Sequence, residues 1–366
     1  MQRCVNVIGV GMSPLRTTTL GPDPAVPVSA TIRQALSDAS LSASNIATVY
    51  AVSCMMDGVT LQRALQRVGL GQAPLCHFPE GGVDGSALLA RACQAITLGQ
   101  AESILVLGVQ SAPVAPGPFF EQLGTTARDY MARYQTRPET FAMIAVKARQ
   151  HAALNPMAAF NRTLSLEQVL AAQSIAEPLT HPQFAWGSSG VSAVLLCSGE
   201  FARRHCSGLG VRIAAQACVS PQQVSGLDRV SSFAGVDYDV NVAAARELYE
   251  QAGRGPQEVA VCELHDASTV SELLLYEALG FCPEGCGEKM VEDGDNTAGG
   301  NLVVNPSGGL LALGQASAAS ALAQCIELVQ QLRGSAGRRQ VADAQLALQH
   351  QTGADGTVTT TLYQRD

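Results

Sequence analysis

The chain has 366 residues, 47% of them hydrophobic and only 15% charged, which is enough apolar material for large buried cores and excludes a disordered chain. Its 23 Lys and Arg are outnumbered by 31 Asp and Glu, a formal charge of −8 without a basic run, and this argues against a nucleic-acid partner. Eleven cysteines are scattered from Cys4 to Cys325, mostly inside apolar runs such as Val261-Cys262 and Leu196-Cys197, and read as buried thiols of a reducing compartment rather than a disulfide framework.

Met1-Gln2-Arg3-Cys4 leads straight into a predicted strand, with none of the regions of a signal or transit peptide. No apolar run approaches the ~18 residues that a membrane span needs, and Tyr363-Gln364-Arg365-Asp366 is no peroxisomal address. A soluble, cytoplasmic protein is the expectation. In chain order, apolar runs and helical periodicities predict a strand at Val5–Gly11, a helix at Val28–Ser40, a strand at Ile46–Ser53, helices at Thr60–Val68 and Asp84–Leu98, and a strand at Ser103–Val109. This βαβ rhythm implies a largely parallel α/β sheet. From about 113 to 180 the rhythm breaks into two helical segments, Glu139–Ala152 and Ser165–Ile175, separated by Asn155-Pro156, and reads as an inserted loop domain.

The rhythm then returns, with strands at Val191–Cys197, Val211–Cys218 and Val259–Leu264 and helices at Ala243–Ala252 and Ser271–Leu279. A glycine-rich turn opens a long Ala-rich helix twice, at Gly81-Gly82-Val83-Asp84-Gly85-Ser86 and at Ser307-Gly308-Gly309 to Gly314 before Ala316–Leu332. An internal duplication is the economical reading, with halves at 1–210 and 211–366, although any Ala/Gly-rich α/β chain can echo itself.

From Glu263 to Gly334 the chain reads ELHDASTVSELLLYEALGFCPEG, EDGDNTAGG and NLVVNPSGGLLALGQASAASALAQCIELVQQLRG. This ordered series resembles the thiolase superfamily, specifically its sterol-carrier-protein (lipid-transfer-protein) thiolase branch, with His-Asp-Cys-Phe, Asn-Pro-Ser-Gly-Gly and Gly-His-Pro motifs. Val7–Met12, Phe141–Lys147, Ile175–Thr180 and Thr361-Leu362-Tyr363 extend the resemblance over essentially the whole chain. It implies two similar halves stacked in five α-β-α-β-α layers, a dimer, and acyltransferase chemistry on acyl-CoA in lipid metabolism.

Thiolysis needs a thiolate nucleophile, a base to form it, an acid for the leaving carbanion and an oxyanion hole. Aligned on Gly85-Ser86, the family's nucleophile position is Gly82, and the nearest alternative thiol is Cys76. The activating His of Gly-His-Pro is Gln315, which hydrogen-bonds but does not titrate. The acid/base Cys of His-Asp-Cys-Phe is Ala267, followed by Ser268, while His265 and Asp266 persist; the classical terminal Cys loop corresponds to Gly353-Ala354-Asp355-Gly356. Coincident loss of nucleophile, base and acid implies a degenerate active site in which ordinary thiolysis is absent.

Two residues stay candidates for catalysis. His265 stands where the family helps form the oxyanion hole, or is a structural histidine; Asp84 is a general base, or the N-cap of the central helix. Asn305, Ser307, Gly308, Gly309 and Gln315 are the candidate ligand-binding residues on pocket loops, with Asn305-Pro306-Ser307 also readable as a turn. His77, His151, His181, His205 and His350 lack metal-ligand spacing, Cys282 and Cys286 have no second pair, and no metal is expected. Gly9-Val10-Gly11 lacks the third glycine of a dinucleotide fingerprint, and there is no serine-hydrolase elbow.

Two functions follow. One is a non-thiolytic subunit that binds CoA, an acyl-CoA or a partner, as a homodimer or as a heterodimer with another thiolase-like chain, without a covalent cofactor. The other resembles the lipid-transfer-protein-like retro-aldolases, acyl-CoA lyases that work beside an OB-fold, zinc-ribbon partner. The tyrosines expected at the active loops of such aldolases are here His265 and Gln315, and Tyr276 lies on the following helix.

Overall fold

The computed structural model describes residues 3–79, 84–114, 119–206, 210–224 and 236–365. Ten strands form one sheet that divides into two five-stranded blocks of identical order. In the first, Val5–Met12 pairs antiparallel with Gly190–Ser198, which pairs antiparallel with Ser103–Gln110; Thr48–Cys54 and then the edge strand Leu75–Pro79 follow in parallel. In the second, Val211–Val219, Val358–Arg365, Leu346–Thr352, Val261–Glu263 and Val303–Val304 repeat that order and those directions. The blocks meet through three residue pairs, Val5 with Ile213, Asn6 with Arg212 and Val7 with Val211. This short antiparallel junction makes the two mixed sheets continuous.

The inner strands of the first block, Ser103–Gln110 and Gly190–Ser198, are buried along their whole length because both their faces are covered. Along Ser103–Gln110, Ile104 and Val106 point into the central core while Leu105, Leu107 and Val109 point into an outer core with Val28, Ile32 and Leu36 of the helix Ala25–Asp38. The helices Gly85–Thr97 and Ser320–Arg333 pack on each other between the two blocks, and Tyr238–Ala252 with Thr269–Ala278 cover the far side of the second. The result is the thiolase fold, five layers in the order α-β-α-β-α.

Close approach at the centre dictates a glycine. A Cβ on Gly108 would lie 2.0 Å from the Ala318 carbonyl oxygen, so the strand can touch the chain entering the second central helix only without a side chain. The helix Gly85–Thr97 buries Leu88, Leu89, Ala92, Cys93 and Ile96, the i, i+3/i+4 stripe of an amphipathic helix.

Between the strands Ser103–Gln110 and Gly190–Ser198 lie the helices Phe120–Tyr134, Pro138–Ala152 and Leu166–Leu170 and a small hairpin, Ser174–Ala176 with Leu179–Thr180. This insertion rests on the helices that follow the His265 loop. Its helix Phe120–Tyr134 was missed because Gly124, Thr125 and Thr126 interrupt its apolar pattern. The segment expected as one helix over Ser165–Ile175 stops at Leu170 and turns into the hairpin. The Ala316–Leu332 helix begins only at Ser320, because Ser320 Oγ binds the Ala316 N–H and the Gly314 carbonyl and holds the preceding turn open. No disulfide joins the cysteines, but not all are buried: Cys4, Cys76 and Cys218 are exposed. Among the described residues no helix is long and apolar enough to cross a membrane.

Candidate active site

The carboxyl ends of the parallel strands converge between the two blocks, where α/β folds place their ligands. There a cavity of about 550 Å³ is bounded by Asp84 at the start of the first central helix, His265 and Ala267 after the strand Val261–Glu263, Gln315 and Ser317 before the second central helix, and Gly353-Ala354 in the last hairpin. Four loops distant in sequence thus meet. Val114, Phe119, Leu123, Leu275 and Leu310 supply its apolar wall, and no described residue on that wall is a cysteine. The Gly82 position lies outside the described residues.

Asp84 is the N-cap of its helix. Its Oδ1 accepts from the Ser86 and Ala87 N–H groups, each at 2.9 Å, and from Ser86 Oγ at 2.7 Å. Oδ2 is left towards the hairpin, where a Cβ on Gly353 would be 3.3 Å from it. The two readings of Asp84 are therefore compatible: one oxygen caps, and the other faces the cavity.

His265 presents Nδ1 without a partner, although Gln351 and the Asp84 carboxylate stand nearby. Burial holds its pKa below the usual histidine value, while Gln351 and Asp84 oppose that shift. The imidazole is thus neutral near pH 7. Its backbone N–H points at His350 Nδ1 at 3.4 Å, and His350 Nε2 lies 2.6 Å from Asn241 Oδ1. Asn241 Nδ2 donates to the Val236 and Asp237 carbonyls, so Oδ1 must accept, His350 carries its proton on Nε2, and Nδ1 is the acceptor. Burial pushes His350 down to about 3, which keeps it neutral.

Gln315 is fixed by its backbone: its N–H donates to the Trp186 carbonyl at 3.0 Å and its carbonyl accepts from Ser188 at 2.8 Å, leaving the side-chain amide on the cavity wall. Asn305, Ser307, Gly308 and Gly309 do not line the cavity and must be corrected from ligand-binding to structural positions. Asn305 is fully buried at φ 53°; its Nδ2 donates to Glu272 at 2.9 Å and its Oδ1 accepts from the Leu264 N–H at 2.7 Å, which sets the turn into His265. Ser307 donates Oγ–H and N–H to the buried Glu263. Gly308 and Gly309 have positive φ, and a Cβ on Gly309 would fall 2.2 Å from Asp266 Oδ2. Asp266 uses that space to accept from the Leu310 and Leu311 N–H groups. The Asn305–Gly309 turn therefore shapes the cavity from beneath.

Beneath it the Lys147 ammonium pairs with the Glu272 carboxylate, which also accepts from the Tyr276 hydroxyl. Asn296 Nδ2 donates to that hydroxyl at 2.9 Å. This buried network sits between the insertion and the His265 loop. Burial, with Glu327 close by, pushes Glu263 up to about 8, and burial beside Glu272 raises Asp266 well above the usual carboxylate range. Among the described residues no group of three or more His, Cys, Asp or Glu could hold a metal ion.

Sequence reasoning missed Gln110, Ser271 and Gln351 on the wall. A signal existed for Gln110, which ends the apolar strand Ser103–Gln110; Gln351 stands near the end of Leu346–Thr352, the strand that occupies the same place in the second block.

The family described as Thiolase C-terminal domain-like matches residues 229–363. Bovine sterol carrier protein 2 is 36% identical over 367 residues, covering 90% of this chain; the chain spans only 66% of that relative's length. The benzoylsuccinyl-CoA thiolase subunit BbsB of Thauera aromatica is 32% identical, covering 81% of this chain and 80% of that protein. A solved Ltp2-ChsH2(DUF35) aldolase superposes with a TM-score of 0.81 over 99% of this chain and 98% of its own, at 23% identity, a likeness of fold. The motifs, the duplicated sheet, the four converging loops and these relatives agree: the chain belongs to the thiolase superfamily, in its sterol-carrier-protein thiolase branch.

Proposed function

We propose that this protein binds an acyl-CoA thioester in the cavity between its halves without cysteine-dependent thiolysis, as a subunit of a larger assembly. One observation carries the reading: the loops that serve thiolysis in the family present Asp84, Ala267, Gln315 and Gly353-Ala354 to the cavity, with no thiol among its described wall residues. Without a thiolate there is no acyl-enzyme, while the apolar wall and the neutral His265 suit a bound acyl group. The Thauera relative is itself called a subunit, which supports a partner, either a second copy or another thiolase-like chain. The reading takes 1–210 and 211–366 as the duplicated halves and, from eleven cysteines that form no disulfide, a cytoplasmic location.

The test is calorimetric titration of the purified chain with CoA and acetyl-CoA, followed by an acetoacetyl-CoA cleavage assay on the same sample. Binding without cleavage is expected. Cleavage that survives Asp84→Asn and His265→Ala but is abolished by a thiol reagent would overturn the reading.

The aldolase likeness favours a second reading, aldol cleavage of a 3-hydroxyacyl-CoA beside an OB-fold, zinc-ribbon partner. There His265 takes the hydroxyl proton, the Cα–Cβ bond breaks to leave a carbonyl product, and the thioester enolate regains a proton. Release of a carbonyl compound only when such a partner is co-purified would establish it.

A further inference from the structure

A second recess, of about 680 Å³, opens at the other end of the sheet, over the junction of the two blocks. The first strand fixes its place: Cys4 and Asn6 line it, and Asn6 stands level, through Cys197, with Ser103 at the amino end of the strand whose carboxyl end, Gln110, borders the cavity described above. The two share no lining residue.

Three arginines stand around this recess. Gly199, Ala202, Arg203 and Cys206 line it at the spacing of one helix face, which brings the exposed Arg203 side chain to that face. Arg212 pairs with Asn6 across the junction, so its side chain lies on the face of the sheet that Asn6 presents to the recess. Arg333 comes from the end of the second central helix.

Asp38 is the one acid among the described lining residues, and it is already engaged. Its Oδ2 accepts from the Arg333 guanidinium at 2.7 Å and from the Val10 N–H at 2.9 Å. Arg212 donates only to the neutral Gln364 amide oxygen, at 2.7 Å, and Arg203 has no hydrogen-bonded or ionic partner among the described residues. Two uncompensated guanidinium groups therefore border one recess, in a chain whose formal charge is −8. A dianion would neutralise both, and the forked donor edge of a guanidinium matches the oxygens of a phosphate.

We propose that this recess binds a phosphate dianion, free or as the monoester of a small organic molecule, between Arg203 and Arg212. The site is independent of the acyl-CoA reading. Arg203 follows the first block and Arg212 lies on the second, and the blocks meet through three residue pairs, so an occupied site ties them together and stabilises the fold by mass action.

The experiment titrates the full chain calorimetrically with inorganic phosphate, phenyl phosphate and benzoate at mildly alkaline pH, where both phosphates are doubly charged. Arg203→Gln and Arg212→Gln leave the Arg333–Asp38 pair in place, and each is expected to weaken phosphate binding about ten-fold, the loss of one charge-assisted contact. Any affinity for acetyl-CoA should not change in either variant. Phosphate should also raise the melting temperature of the unaltered chain above that in chloride of equal ionic strength. Tighter binding of phenyl phosphate than of inorganic phosphate assigns an ester to the site, and equal affinity assigns the free anion. Absence of binding at millimolar phosphate, an affinity that survives both variants, or benzoate binding as tightly as phenyl phosphate overturns the proposal and leaves the acyl-CoA reading untouched.

Discussion

Replacing Lys147 by Met removes the cation from the buried network that supports the His265 turn. The Lys147 side chain is 5% exposed and Glu272 fully buried, so water cannot take over the ammonium's role. Glu272 would keep Asn305 Nδ2 at 2.9 Å and the Tyr276 hydroxyl, both neutral donors, against an uncompensated negative charge. Breaking a buried pair from one side costs about 3–5 kcal/mol, which is a large share of a typical domain's stability. Equilibrium urea unfolding, followed by far-UV circular dichroism and by fluorescence of the single tryptophan, Trp186, measures the loss. The double variant Lys147→Met/Glu272→Gln deletes both charges, and its amide can still accept from Asn305 and donate to the Tyr276 oxygen; it should recover at least half of the loss. A single variant that loses less than about 1 kcal/mol, or a double variant no better than the single, would refute the argument that the charge is stranded.

Three further outcomes are expected. Gly309→Ala places a Cβ 2.2 Å from Asp266 Oδ2 at a φ of +62°, so it should lower stability by at least about 2 kcal/mol and its melting temperature with it. Glu263, raised from 4.5 to about 8 by burial, contributes stability in its protonated form that is fully present below the unfolded pKa and is lost as pH rises through the folded one. Unfolding free energy should therefore fall by up to about 1.4 kcal/mol per pH unit across that window, and Glu263→Gln should flatten the profile; an unchanged slope would contradict it. Asp84→Ala should cost about 1 kcal/mol as a lost N-cap, and Asp84→Asn much less. Asp84→Asn should still move the His265 titration, read by NMR, further down, because the carboxylate adds to the Gln351 hydrogen bond in drawing that pKa up.

Much of the fold was written locally. Apolar runs such as Ser103–Gln110 and the stripe Leu88, Leu89, Ala92, Ile96 carry their own periodicity, and the two glycine-rich turns announced the duplication. Short elements escaped: the edge strand Leu75–Pro79 is defined by its parallel pairing with Thr48–Cys54 rather than by an apolar run of its own. At the site, Asp84, His265 and Gln315, each on a loop with a distinctive signature, line the cavity. The motifs did not distinguish the residues that line a pocket from those that hold it up. Asn305 and Ser307 have the same polar chemistry as Gln110 and Gln351, and only the tertiary structure gives the first pair partners in Glu272 and Glu263 while placing the second pair on the cavity wall. The physical reason is that strand and helix periods are properties of neighbours in the chain, whereas satisfaction of a buried polar atom depends on groups such as Glu272, which is 33 residues from Asn305 in sequence and bonded to it in space.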